Sequence, residues 1–322
     1  MAAILTPVST LRQAGGPARP KHRGAKIAPV PDAALDFADP RDNVYAFAKT
    51  WGTFADTPTI GVFHGLMHAW LPGERLRPLF GYAGTGVTKC RTEPDGSVTM
   101  RGKETGYFYD VASGAVIDHW DNPWTGETVE VYPFLNDRIG GRLTLEMPRL
   151  HLGENEAEGS HMNDSAAGAP FVLPWQVYGD EVLLEWDYAH LYTNPLPPAS
   201  YPRSSTGATI NPSEHFTIYT SLAELEDRAL PSAHFRAGFS RVSPWWPWMR
   251  MGDGRGGQVA DGVMTGRLFS RSARRGLDDI PRPLLERIER DCPDYLELPA
   301  DWEVGPILSS WEAYARDTPP EA

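Results

Sequence analysis

Cysteine, long apolar stretches and positive charge are the features in which this sequence is poorest. Its 322 residues include 2 cysteines, Cys90 and Cys292, so a disulfide framework and a Cys-x-x-Cys zinc or redox motif are excluded. No apolar run approaches the roughly 18 residues that a transmembrane helix needs. The formal net charge of −12 disfavours nucleic acid and an anionic membrane surface as partners, since both attract basic faces.

The N-terminal segment lacks both periodicity and an apolar core. Residues 1–33 are rich in Pro, Gly, Ala and basic residues, which predicts a disordered or loosely draped arm. Because no apolar stretch follows the basic residues, no secretory signal peptide is predicted. Together with two reduced thiols, this indicates a cytoplasmic protein.

Nucleotide-binding motifs are missing as well. Gly252-Asp-Gly-Arg-Gly-Gly257 has the glycine content of a dinucleotide loop but no preceding strand or following helix, so a turn is predicted. No phosphate loop, serine-hydrolase elbow or kinase motif is present. We therefore expect no flavin, nicotinamide or ATP, and no cofactor of another kind.

Two histidines have the spacing of a zinc helix. In His64-Gly-Leu-Met-His68, however, Gly65 stands where the metalloprotease pattern needs glutamate, and no third ligand is marked by spacing. No metal site is predicted. Two packing or substrate-facing histidines are the favoured interpretation.

Turns and aromatic residues are abundant. The chain holds 31 Gly, 30 Pro, 11 Trp and 12 Tyr, and strand-like runs separated by short turn signals begin near Thr59. Short helices are predicted at about 42–51, 281–291 and 302–316. The pattern predicts a single all-β, mainly antiparallel domain over residues 34–322, barrel-like with a few covering helices, and a β-sandwich is the alternative.

Two segments concentrate tryptophan. Trp120 and Trp124 flank a turn within residues 118–132, which suits either a pocket wall or a plugged sheet corner. Residues 243–252 hold three tryptophans, among them Trp248, with two methionines and Arg250. This segment either grips an aromatic ring or plugs the core. If it is buried, Arg250 should face a carboxylate or an anionic ligand group.

Polar residues share faces with aromatic ones in two predicted strands. In residues 101–110 one face carries Lys103, Tyr107 and Tyr109, and the other carries Glu104 with Phe108. In residues 214–219 one face carries His215 and Tyr219. Faces turned inward would line a binding cavity, whereas faces turned outward would be ordinary solvated strands, and the sequence leaves both open.

Several motifs together resemble a bacterial and fungal protein family of unknown function. They are Asn122-Pro-Trp-Thr-Gly-Glu127, Asn194-Pro-Leu-Pro-Pro198 and Trp246-Pro-Trp-Met-Arg-Met-Gly252, and the similarity extends from about Asp36 to Tyr314. Certain members are similar to the cofactor-free γ-formaldehyde lyases with which sphingomonads process lignin-derived phenylcoumarans. The resemblance therefore implies a carbon–carbon lyase that releases formaldehyde from an aromatic alcohol and leaves a stilbene.

Such chemistry needs a base, a cation for the phenoxide and an aromatic slot. Either His215 or Glu104 is the candidate base, and either Lys103 or Arg250 is the candidate cation. The candidates for the slot are Tyr107, Tyr109, Trp120, Tyr219 and Trp248. The alternative is a non-catalytic barrel that binds an aromatic or apolar small molecule. A hydrolase or isomerase acting on a related substrate is not distinguished, and the oligomeric state is not indicated.

Overall fold

A computed structural model describes residues 34–147, 150–152, 160–162, 167–252, 261–305 and 308–321. The chain divides into Met1–Ala34 and Leu35–Ala322, and all described helices and strands belong to the second unit. The helices are α1 (Pro40–Trp51), α2 (Leu222–Glu226), α3 (Arg282–Asp291) and α4 (Ser310–Asp317). The strands are β1 (Ile60–Trp70), β2 (Arg77–Thr92), β3 (Val98–Tyr109), β4 (His119–Asp121), β5 (Thr128–Glu130), β6 (Phe134–Leu143), β7 (Leu150–Leu152), β8 (Ser160–Met162), β9 (Trp175–Tyr178), β10 (Glu181–Ala189), β11 (Tyr192–Thr193), β12 (Thr209–Ile210), β13 (Ser213–Ser221), β14 (Phe235–Ser243) and β15 (Val263–Ser272). The predicted arm over residues 1–33 lies outside the described residues.

One large sheet dominates the fold. Nine strands pair in the order β6-β3-β2-β1-β15-β14-β13-β10-β9, and each of these pairings is antiparallel. The prediction of an all-β, mainly antiparallel fold is confirmed. Among the described residues β6 and β9 do not pair with each other, so the sheet is open and the predicted barrel does not close.

Tight turns explain the order of the first strands. Gly73 follows β1 and Gly96 follows β2, and both adopt positive φ angles, 79° and 86°, which glycine reaches without steric cost. Each turn sends the chain back beside the strand it has just left. Strand alternation then gives this sheet two chemically different faces.

Two of the short helices pack on faces of the sheet: α1 packs against residues of β3, β10, β13 and β14, and α3 packs against residues of β1, β2 and β3. Helix α1 begins behind Asp39, whose carboxylate accepts a hydrogen bond from the Arg41 amide, and α3 lies within one residue of its predicted range. Helix α4 begins later than predicted, because Ser309 and Glu312 form a capping box that fixes its start. No described helix has the length and apolarity needed to cross a bilayer.

Candidate functional site

A cavity of about 750 Å³ lies on one face of the large sheet. Side chains from eight of its nine strands line the cavity, so this face curves around it, and residues of α4 contribute as well. The aromatic lining residues include Phe63, Tyr82, Phe108, Phe134, Tyr188, Phe216, Phe239, Trp246 and Trp248. A cavity of this size and lining is typical of a site for an organic small molecule.

Glu104 is the most perturbed acid in the cavity. It extends from β3 on the same face as Phe108, and its side chain has only partial access to solvent. Burial, and to a smaller extent the negative charge of Glu214, together raise the pKa of Glu104 from its ordinary value of 4.5 to about 7. A carboxyl group with such a pKa can hold or accept a proton near neutral pH.

A second carboxylate in the cavity is paired. Glu214 on β13 lies directly opposite Arg241 on β14 in the sheet register, and Nη1 of Arg241 is 3.2 Å from Oε1 of Glu214. Both side chains are about four-fifths buried, at 20% and 18% exposure. The Arg241 guanidinium also lies 6.0 Å from the centre of the Trp246 ring. This pair places a hydrogen-bond-donating cation within the aromatic lining.

Hydroxyl and imidazole groups add to the polar lining, which also includes Asp137, Arg138 and Arg316. Burial raises the pKa of Tyr82 and of Tyr188 well above 10, so both phenols stay protonated and can donate hydrogen bonds. Burial lowers the pKa of His190 below 6.5, so its imidazole is neutral at pH 7. Near neutral pH the cavity therefore offers neutral donors beside Glu104.

Tryptophans form one wall of the cavity. Trp246 precedes a 3-10 helix at Pro247–Met249 and Trp248 lies within it, with ring centres 6.3 Å apart and nearly parallel planes. The ring of Phe108 lies 5.1 Å from each of them. Because both indoles are at least nine-tenths buried, the wall is held by the core as well as facing the cavity.

The motif segments hold this wall in place by direct contacts. The amide of Asn122 donates to the Met249 carbonyl at 2.9 Å and to the Met251 sulfur at 3.1 Å. A Cβ atom on Gly252 would lie 2.7 Å from the carbonyl oxygens of Pro202 and Ser205, so only glycine fits that approach. The segments around Asn122, 202–205 and 246–252 therefore pack as one unit.

The structure brings two of the predicted site residues into the cavity, Glu104 and Trp248. Trp120 lies behind the wall, where its ring is 6.0 Å from Trp248 and 5.8 Å from Phe80, and it does not line the cavity. Of residues 118–132, Tyr132 lines the cavity itself and Trp120 supports Trp248 from behind.

Three candidates on β3 lie on the opposite face of the sheet from Glu104. The Lys103 ammonium binds the Asp294 carboxylate at 2.7 Å, and the Tyr107 hydroxyl lies 3.3 Å from the Cys292 sulfur. The Tyr109 hydroxyl donates to the Gly65 carbonyl at 3.1 Å. Successive strand residues point to opposite faces, so Lys103 and Glu104 cannot serve the same cavity.

The remaining candidates also lie outside the cavity. His215 is exposed on the far face of β13, where Nδ1 is 3.0 Å from Asp187 and Nε2 is 2.8 Å from the Ser213 hydroxyl. Tyr219 is on the same face, beneath the Arg236 guanidinium. Arg250 follows the tryptophan turn with a left-handed φ of 53° and does not line the cavity.

Sequence reasoning missed Glu214, Arg241, Tyr188 and His190 as site residues. A signal was present, because Glu104 shares a face with Phe108 and Glu214 shares one with Phe216. The rings on the Glu104 and Glu214 faces are phenylalanines, which favour burial, whereas Lys103 and His215 share their faces with tyrosines and threonines.

In the part of the chain that the structure describes, no group of three or more His, Cys, Asp or Glu residues is arranged to hold a metal ion. His64 is exposed and lines a groove on the far side of the sheet.

Comparison with known proteins gives a family but no activity. The family described as "Protein of unknown function (DUF1838)" matches residues 56–318, which confirms the resemblance to a family of unknown function. No curated protein matches the chain. A crystal structure of MucB in complex with MucA(peri) is 11% identical over 78% of this chain and 96% of that chain, with a TM-score of 0.13.

Proposed function

Since the chain belongs to the DUF1838 family, we propose a function from the chemistry of its cavity: a cofactor-independent carbon–carbon lyase. The proposed substrate is an aromatic alcohol of the phenylcoumaran type, and the products are formaldehyde and a stilbene. The observation that carries this proposal is Glu104, a carboxyl group with a pKa of about 7 in a cavity lined by aromatic rings.

The cavity suits an aromatic dimer in size and lining. Its volume of about 750 Å³ is within the roughly 300–1,000 Å³ of sites for drug-sized ligands. Thirteen Phe, Tyr and Trp residues of the described chain line it, and the nearly parallel indoles of Trp246 and Trp248 offer a surface against which a ring can pack. A substrate with two aryl groups would bury apolar surface against most of this lining.

The proposed reaction needs no oxidant. The phenoxide of the substrate pushes electrons into its ring, the benzylic C–O bond of the dihydrofuran breaks, and a quinone methide forms. A base then removes the proton of the γ-hydroxyl group, the C–C bond to that carbon breaks, and formaldehyde leaves. The bonding electrons form the stilbene double bond and restore the aromatic ring as a phenoxide, so atoms and electrons balance.

The cavity residues divide these tasks between them. Ionised Glu104 accepts the γ-hydroxyl proton, because a base with a pKa near 7 is matched to neutral pH. Arg241 stabilises phenoxide charge, and its pairing with Glu214 holds it in the cavity. Protonated Tyr82 and Tyr188 are donors for the oxygen released when the furan ring opens.

A direct assay tests the proposal. Purified protein is incubated with several phenylcoumaran alcohols, and formaldehyde and stilbene absorbance are followed together. We expect the two products in equal amounts, a large loss in Glu104→Gln, and no loss in the matched control Glu74→Gln, since Glu74 is exposed and does not line the cavity. Absence of both products with every substrate would refute the lyase. Saturable tryptophan quenching in that case would identify a non-catalytic protein that binds aromatic ligands.

A further inference from the structure

A second recess lies on the face of the large sheet opposite the cavity. It encloses about 590 Å³, and its lining includes His64, Tyr219, Arg236, Phe269 and Arg271 around Gly238. These residues lie on β1, β13, β14 and β15, and the Asp279 carboxylate after β15 also lines the recess. We call this recess the Gly238 groove.

A missing side chain creates the groove. Thr217, Gly238 and Phe269 lie side by side in the register of β13, β14 and β15. A Cβ atom built on Gly238 would meet nothing within 4 Å, so the floor of the groove is bare backbone. Glycine weakens a strand interior. Neither crowding by neighbouring atoms nor a positive φ angle explains why this position is a glycine. Phe269 stands beside this gap with 65% of its surface exposed.

Two arginines lie directly opposite each other at one end of the groove. Arg236 and Arg271 are register partners on neighbouring strands, with 69% and 49% of their side chains exposed. Like charges opposite each other in a sheet are unfavourable. Glu181 binds Arg236 and Asp279 binds Arg271, but Asp279 also binds Arg275 at 2.9 Å. Three guanidinium groups therefore contact two carboxylates at this end of the groove.

Aromatic surface adjoins this charge. The Arg236 guanidinium lies 5.1 Å from the centre of the Tyr219 ring, and the His64 ring lies 6.3 Å from the Phe269 ring. The groove is an open slot one side chain deep, with a ring on its wall and two neighbouring arginines at its end. These features match a flat ligand with one anionic end.

We propose that the Gly238 groove binds a small aromatic carboxylate. The ring lies over Gly238 against Phe269, and the carboxylate lies between Arg236 and Arg271, where it offsets their repulsion. This site is separate from the cavity, because alternate residues of β14 face the two sides of the sheet. It stands whether or not the cavity has lyase activity.

Fluorine NMR titration tests the site with 4-fluorobenzoate as the probe. We expect saturable binding in the roughly millimolar to micromolar range at low salt, weakened by added NaCl. Gly238→Val fills the slot without a steric clash and should weaken binding at least tenfold, while far-UV circular dichroism stays unchanged. Arg271→Gln tests the charge and should weaken binding to a similar degree.

Controls separate the groove from the cavity. Glu104→Gln changes the cavity alone and should leave the affinity for 4-fluorobenzoate in place. The neutral probe 4-fluorobenzyl alcohol should bind the groove at least tenfold more weakly than the acid. Unchanged 4-fluorobenzoate binding in folded Gly238→Val and in Arg271→Gln would overturn the proposal, and so would an absence of binding to the wild-type protein. If Gly238→Val does not fold, Arg271→Gln and the neutral probe still decide the question.

Discussion

Glu214 and Arg241 face each other across β13 and β14 at 3.2 Å, within the cavity that also holds Glu104. One carboxylate of the cavity therefore has a cation beside it, whereas burial and Glu214 both oppose the ionisation of the other. The two acids therefore have different neighbours: Glu214 is ion-paired with Arg241, and Glu104 is the acid whose pKa is raised into the range of a proton acceptor near neutral pH.

Replacement of Glu104 by glutamine should remove the proposed base and keep the shape of the side chain. We expect kcat to fall by about 10²–10⁴-fold, the range in which general bases contribute. The aromatic lining is untouched, so the affinity for a stilbene product should change by less than about threefold. Formaldehyde release measures the first quantity and tryptophan quenching the second. A loss of affinity equal to the loss of turnover would make Glu104 a binding residue.

Glu104→Gln should also change the way in which the free energy of unfolding depends on pH. The folded protein keeps a proton on Glu104 between pH 4.5 and about 7, whereas the unfolded chain has released it. The contribution of this group to the free energy of unfolding is therefore present at low pH and is lost as pH rises through that window. Glu104→Gln should match the wild type near pH 4.5 and exceed it above pH 7, by at most roughly 3 kcal/mol. Urea denaturation at several pH values measures the difference, and a constant difference would contradict the raised pKa.

Glu214→Gln should act on Glu104 from a distance. It removes a negative charge that raises the pKa of Glu104 and leaves the positive charge of Arg241 uncompensated. Both changes favour ionised Glu104, so the acidic limb of the pH–rate profile should move to lower pH. We expect turnover at pH 8 to stay within about tenfold of the wild type. The profile for Glu74→Gln should not move. If the acidic limb does not shift in Glu214→Gln, the charge of Glu214 does not influence the pKa of Glu104.

Arg250 should be important for backbone conformation and not for catalysis. Its φ of 53° is left-handed, a conformation that is costly for side chains branched at Cβ and easy for glycine. Arg250→Val should unfold at a free energy about 1–3 kcal/mol below that of Arg250→Gly. Turnover by Arg250→Gly should stay within about threefold of the wild type, because the residue does not line the cavity. A tenfold loss of turnover in a variant of normal stability would show that Arg250 acts in the substrate site.

Asn122 should be a structural residue of the tryptophan wall. Besides its two donated hydrogen bonds, its side-chain oxygen accepts from the amides of Trp124 and Thr125 at 2.9 and 3.2 Å. Asn122→Ala leaves these buried groups without partners, so we expect a loss of about 1–3 kcal/mol in the free energy of unfolding. Thermal and urea denaturation should agree on the loss. A variant as stable as the wild type would show that the motif segments do not depend on this link.

The sequence determines the faces of the strands but not which face encloses the cavity. Strand alternation correctly predicted that Glu104 and Lys103 lie on opposite faces of β3, and that His215 and Phe216 lie on opposite faces of β13. Which side turns inward depends on the curvature of nine strands and on the segments that cover them, and no local pattern encodes that. To predict that Glu214 pairs with Arg241, one must know the register between β13 and β14, which are separated in the chain by α2 and its flanking turns. Antiparallel strands, by contrast, follow from local alternation and turn residues, which explains why that level of prediction succeeded.

Strand β14 serves two sites with one set of alternating positions. Phe239 and Arg241 face the cavity, while Arg236 and Gly238 face the groove on the other side. A shift of one residue in its pairing would exchange these sets and place the gap of Gly238 beside the cavity and the bulk of Phe239 on the far surface. An insertion or deletion of a single residue within β14 should therefore be far more damaging than any single substitution there, and it should abolish both sites together.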